Sequence, residues 1–187
     1  MLKIDGKNIY LQEFTEANLE DPRYFDWLRD LKILPFIGRM EYFFPTQMYE
    51  IRSYVENLIS NKEDCFLAIY HKASAEFIGT AKIGHVNWRV GAADLGIMIG
   101  DVNYRNKGLS VDVVSTAANY AYSYLCLRKL TGGTSSLNIA MQRCFENVGF
   151  IQEGCLRKQL LMSGDYCDHV LYGMFKEEYY IKNQQSV

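Results

Sequence analysis

Three strand-like runs stand close together in the middle of the chain: Cys65 to His71, Glu76 to Val86 and Asp94 to Ile99. They are rich in β-branched, aromatic and other apolar residues, and the links Lys72 to Ala75 and Asn87 to Ala93 leave room for little besides turns. They predict an antiparallel meander, because a parallel return needs a crossover of a dozen or more residues. A crossover of that kind comes next. Residues 110 to 125 carry Val113, Val114, Ala117, Tyr120, Ala121 and Tyr124 at helical spacing, and Lys129 to Thr134 is a short strand that must return beside its predecessor.

The flanking segments extend this pattern. Residues 9 to 14 alternate as a strand, and Asp21-Pro22 opens a helix running to about residue 31, with proline at its first position. Leu34 to Pro45 breaks periodicity and holds Phe36, Tyr42, Phe43 and Phe44. Thr46 is placed to cap a helix over 47 to 60, with Ile51, Tyr54, Val55, Leu58 and Ile59 on one side. A helix over 138 to 148 ends at Gly149, and two long strands, 150 to 162 and 166 to 175, flank the turn Ser163-Gly164-Asp165. About seven strands and about four helices give an α+β (mixed α/β) single domain over residues 1–187, built on a central mixed, mostly antiparallel sheet.

Composition narrows the function. Twenty Lys and Arg against 22 Asp and Glu give a net charge of -2, too balanced for a chain whose main partner is nucleic acid. The opening MLKIDGKNIYLQEF has no apolar leader segment and no window is apolar enough to span a bilayer, so no membrane partner and a cytoplasmic location are expected. Five cysteines, with no C-x-x-C pair and no histidine at ligand spacing, predict reduced, mostly packed thiols and no metal site.

Chemistry concentrates between Ala93 and Ser110. A strand there runs into Arg105-Asn106-Lys107-Gly108, and a helix begins near Ser110. The unpaired N–H groups of a helix N-terminus can hold phosphate oxygens, and Gly108 would let the backbone come close to an anion. The loop is neither a Walker loop nor a dinucleotide fingerprint. Taken singly, Arg105 and Lys107 also read as solvated loop charges, and Asn138 as a helix cap.

In combination these residues resemble the GNAT superfamily of N-acetyltransferases. Arg105 and Gly108 fit its pyrophosphate loop Q/R-x-x-G-x-G/A, with Ser110 in place of the small final residue, where it could itself cap the helix. Asn138 followed by Gly149-Phe150 is similar to the second signature, and Gly154, Arg157, Gly164, Asp168 and the segment Phe175 to Tyr179 resemble the branch of ribosomal-protein alanine acetyltransferases. Met141, where that branch often has serine, departs from it.

The resemblance implies acetyl-CoA as cosubstrate, an amine as acceptor, and allows a homodimer. It implies that the strand at 94 to 100 splays from a parallel neighbour at 129 to 134. The cofactor would lie in the gap against Met98, Ile99 and Gly100, and along Arg105, Asn106, Lys107, Gly108, Leu109, Ser110 and Asn138. Asp94 stands where some relatives place a glutamate base; it reads equally as a solvated charge ending the preceding loop. His85, with an ordinary pKa of about 6.5, is a second proton acceptor or a structural histidine. Phe145 stands where many relatives carry the tyrosine that protonates the leaving sulfur. Arg39, Glu41, Tyr42, Phe44, Trp88 and Arg89 are the expected acceptor-side residues, suited to a small metabolite, an amino sugar or a protein N-terminus. An acyl-CoA-binding module with little catalytic activity is the other reading.

Overall fold

The computed structural model describes residues 2–37 and 47–184. The strands are β1 (Lys3–Asp5), β2 (Ile9–Glu13), β3 (Cys65–His71), β4 (Phe77–Asn87), β5 (Ala92–Ile99), β6 (Lys129–Ser135), β7 (Ile151–Met162) and β8 (Asp165–Phe175). They form a single sheet in the order β1-β2-β3-β4-β5-β6-β8-β7. Every neighbouring pair is antiparallel except β5 and β6. The mixed sheet, the meander and the parallel return are therefore as expected. The described residues also hold the three-residue β1, which is too short to carry a periodic signal.

Helices cover both faces. On one side lie α1 (Glu16–Leu19), α2 (Pro22–Trp27), α3 (Leu34–Ile37) and α4 (Met48–Ser60), and on the other α5 (Leu109–Ser123), α6 (Ile139–Val148) and α7 (Lys176–Gln184). Strand β3 shows how one sequence serves two cores: Leu67 and Ile69 join the α5 side, while Ala68, between them, joins the α2–α4 side. The α2–α4 core is strongly aromatic, with Phe14, Tyr24, Trp27 and Phe77 in mutual ring contact.

Several expectations are corrected. The helix expected to reach about residue 31 stops at Trp27; past it the N–H groups of Arg29 and Asp30 bond three residues back, to Asp26 at 3.1 Å and Trp27 at 3.2 Å, as a tightened turn. The next long helix opens at Gln47, whose N–H donates to the Glu50 carboxylate at 2.7 Å; Thr46 lies outside the described residues. Within it Ile59 is exposed, not inward. In α5 Tyr120 packs partly buried against the core as expected, but the fully buried tyrosine is Tyr122, which donates to the Met174 carbonyl at 2.7 Å, while Tyr124 points outward. All five cysteines are free, but only Cys144 and Cys167 are buried; Cys126 and Cys155 are exposed. Gly149 does end α6 with a positive φ of 120°, and Ser163 and Gly164, at φ 52° and 91°, make the hairpin turn between β7 and β8.

One glycine sets how closely α6 approaches the sheet. A Cβ on Gly132 of β6 would stand 2.5 Å from the Phe145 ring, which is itself buried against Phe150 and Tyr172. Gly132→Ala should therefore destabilise the protein by about 1–3 kcal/mol through overpacking, and adding Phe145→Leu should recover part of the loss. Urea unfolding of the two variants checks this.

Candidate active site

The parallel pair is short. Ala92, Ala93 and Asp94 stand opposite Lys129, Leu130 and Thr131, and there the pairing ends, although β5 continues to Ile99 and β6 to Ser135. β5 keeps its ladder with β4 up to Ile99, and β6 keeps its ladder with β8 throughout. The two strands part between complete ladders, as the splay expectation requires. A cavity of about 470 Å³ occupies this region, lined on β5 by Asp94 to Ile99, on β6 by Gly133 and Thr134, and on α6 by Asn138, Met141 and Phe145.

The strand alternation decides which backbone groups face the gap. The Gly100 N–H donates to the Ile78 carbonyl at 2.9 Å, so it points toward β4 and is already used. Neighbouring residues of a strand turn their N–H groups to opposite edges, which sends those of Met98 to β4 and those of Ile97 and Ile99 to the gap. The donors are thus Ile97 and Ile99. Met98 and Gly100, expected as backbone partners, turn the other edge to the ladder, although Met98 still lines the cavity.

Beyond β5, a one-turn helix at Val102–Tyr104 leads into the loop before α5. Asn106 and Gly108 both have positive φ, 59° and 74°, and Gly108 is the residue preceding the first turn of α5. The cap is therefore Gly108, not Ser110. Nothing stands within 4 Å of where a Cβ on Gly108 would be, so the glycine answers a backbone requirement and leaves the approach to the helix end open. Ser110 lines the cavity, whereas the Leu109 side chain is buried in the core and offers only its backbone. Lys107 is exposed and stacks over the Tyr104 ring at 5.5 Å. Asn138 caps α6 by accepting the Met141 N–H at 3.1 Å and also lines the cavity, so the two readings of this residue coexist.

Arg105 has a different role from a free loop cation. Its guanidinium donates to the carbonyls of Ile99, at 3.1 Å, and Gly100, and pairs with Asp30 at 2.9 Å. It ties the end of β5 to the segment between α2 and α3. The Lys32 N–H and the Arg105 guanidinium hold the Asp30 carboxyl below the usual carboxylate range.

Asp94 stands at the fork where β5 and β6 part. The residue keeps an opening to solvent through the cavity mouth, yet protein surrounds the carboxyl closely enough that desolvation pushes its pKa up, against the opposing pull of His85, Thr131, Lys82 and His169. Thr131 donates to it at 3.4 Å. His85 sits at positive φ, 52°, on the irregularity of β4, within electrostatic reach of Asp94, but its side chain does not line the cavity. No motif in the sequence assigns Lys82 or His169 to the site. Lys82 is opposite Gly96 on β4, lines the cavity and pairs with Asp64 at 3.2 Å; His169 packs its ring over Gly133. Strand register alone brings them there, and alternation on β4 could have found Lys82.

On the acceptor side, Phe36, Tyr54 and Phe66 line the cavity with Ile33 and Lys32. Arg39, Glu41, Tyr42 and Phe44 lie outside the described residues. Trp88 is corrected: it lines a second cavity, and Arg89 lines neither.

Residues 8–151 match the acetyltransferase (GNAT) domain family. The chain belongs to this family. Over 93% of its length it is 26% identical to the SPbeta prophage-derived uncharacterized N-acetyltransferase YokL of Bacillus subtilis (strain 168), of which it covers 93%. It is 28% identical, over 90% of its length and 93% of the relative, to the protein named Probable N-acetyltransferase YjcK of the same organism. The fold matches that of the spermidine N-acetyltransferase from Vibrio cholerae, solved in complex with CoA and spermine, with a TM-score of 0.83 at 17% identity, covering 92% of this chain and 98% of that one. Acetyl-CoA is the cosubstrate of GNAT enzymes, and this member is an N-acetyltransferase.

The Arg105 tether should be measurable as stability. Arg105→Met is expected to cost about 1–3 kcal/mol at neutral pH, the range for a hydrogen bond to a charged group and its orphaned partner. Because Asp30 has a depressed pKa when folded, its contribution is present above about pH 4 and is lost as pH falls and the carboxyl protonates. Urea unfolding at neutral and acid pH should show the difference between wild type and variant shrinking in acid.

Proposed function

We propose that the chain transfers the acetyl group of acetyl-CoA to a primary amine of a small metabolite, an amino sugar or a protein N-terminus, by direct attack of the amine on the thioester. The observation that carries this is the parting of β5 from β6 with Asp94 at the fork and backbone donors along one lip. The fit to the cosubstrate is physical: an open helix end behind Gly108 suits a diphosphate, and the narrow gap suits an extended amide-bearing arm.

The roles of the side chains follow from their positions. The N–H groups of Ile97 and Ile99 are held by the sheet and aim at the place where negative charge develops on the thioester oxygen. Asp94, directly or through a water, accepts the proton of the attacking amine; its raised pKa makes it a better base than an ordinary aspartate. Phe145 can donate no proton to the departing sulfur, but a thiolate of pKa about 8.5 leaves without one near neutral pH. Among the described residues that line the cavity, Asp94 is the one carboxylate, beside the cations Lys32, Lys82 and Arg105.

Acetyl-CoA is expected to raise the melting temperature, and Gly108→Trp to abolish the shift by blocking the helix end. No stabilisation at millimolar acetyl-CoA would refute the reading. Thiol release across a panel of monoamines, amino sugars, peptides and spermidine should show turnover with at least one acceptor. Cofactor binding without any acetylated amine would instead favour the non-catalytic binding module. The rate should rise with pH along an acid limb above about pH 4, the ordinary aspartate value, because the base must be ionised and its pKa is raised. Asp94→Asn should remove that limb and lower kcat by about 10²–10⁴-fold.

A further inference from the structure

The second cavity, about 440 Å³, lies at the opposite end of the β2–β3–β4 strands from the cofactor loop, where the C-terminal ends of α4 and α5 approach the sheet. Its walls include Phe14, Phe66, Trp88 and Tyr120. Trp88 is 55% exposed, an unusual state for so large a ring, and its indole N–H donates to the Lys62 carbonyl at 3.3 Å, which fixes the ring at the cavity wall.

Two carboxylates belong to the lining, and they differ in kind. Asp64 is saturated: one oxygen accepts from Lys82 at 3.2 Å and the His85 N–H at 3.3 Å, the other from Asn61 at 2.9 Å. The exposed Glu13, whose backbone belongs to the β2–β3 ladder, makes no side-chain hydrogen bond or ion pair with another described residue. Its charge is nonetheless inside the cavity's field, since it pushes up the pKa of both the Cys65 thiol and the Tyr120 phenol, each already raised by burial. Lys62 contributes a positive charge at the exposed rim.

We propose that this cavity binds an organic cation with a flat apolar body, the body stacked on Trp88 and packed against the aromatic wall, the cation paired with Glu13. The reasons are a concave aromatic site, an exposed indole held in one place, and one unpartnered carboxylate to complement. The site is separate from the acetyl-transfer gap but adjoins it. Phe66 lines both cavities, and Asp64 on this side holds Lys82 on the other. An occupant would therefore press on the wall and the ion pair that shape the acceptor side.

Benzyltrimethylammonium is a suitable probe, because a quaternary nitrogen cannot be acetylated and so cannot act as an acceptor. Titration followed by calorimetry and by tryptophan fluorescence should show saturable binding, with the fluorescence change lost in Trp88→Phe, since the other tryptophan, Trp27, is buried. Glu13→Gln should weaken binding about three- to tenfold. Ile59→Arg, an exposed position on the same wall, should weaken it as strongly by repulsion without disturbing the core. Neutral benzyl alcohol should bind more weakly than the cation. Absence of saturable binding at millimolar probe, equal affinity in wild type and both variants, or competition by acetyl-CoA would each overturn the proposal.

Discussion

The separation of β5 from β6 after three residue pairs is the constraint from which the rest of the site follows. Interior sheet edges are normally closed, because an unpaired backbone N–H away from water is costly. Here each parted strand is held on its outer side by a ladder, β5 by β4 and β6 by β8, so the opening is rigid. The glycine at 132 and the ring of Phe145 keep α6 close to one lip, and the Arg105 guanidinium fastens the far end of the other. Rigid donors in a gap of this kind need little reorganisation when charge develops beside them.

Arg105 shows how the two faces of the sheet are coupled. Its partners are the carbonyls at the end of β5 and Asp30, which lies on the acceptor side between α2 and α3. The residue that the loop motif presents as a contact for an anion is also a brace in the folded chain. Arg105 also lines the cavity, and next to it the end of α5 behind Gly108 is open, where the backbone turns through two positive φ values within three residues.

Much of the architecture was legible because it is written in local periodicity. The three strands of the meander, the crossover helix and the hairpin at Ser163-Gly164 follow from alternation, helical spacing and turn chemistry. Phase within a helix was less legible: Tyr122 rather than Tyr124 faces inward because the Met174 carbonyl gives its hydroxyl a partner. The end of α2 was hidden for a similar reason, since Asp30, just past it, meets Arg105, a partner far along the chain. No motif marks Lys82 or His169 as neighbours of Asp94. They belong to the site through register on β4 and β8.

The sequence by itself determined the class of sheet, the order of its elements and the glycine before α5, because each depends on spacing within one segment; Asp94 was marked only by the family resemblance. Only the tertiary structure decided that the N–H groups of Ile97 and Ile99, not those of Met98 and Gly100, face the opening. It also placed Arg105 in a brace and Trp88 on a different cavity. The physical reason is that edge direction, ion pairing and ring packing are set by partners remote in sequence, and a linear pattern carries no record of which partner a group will meet.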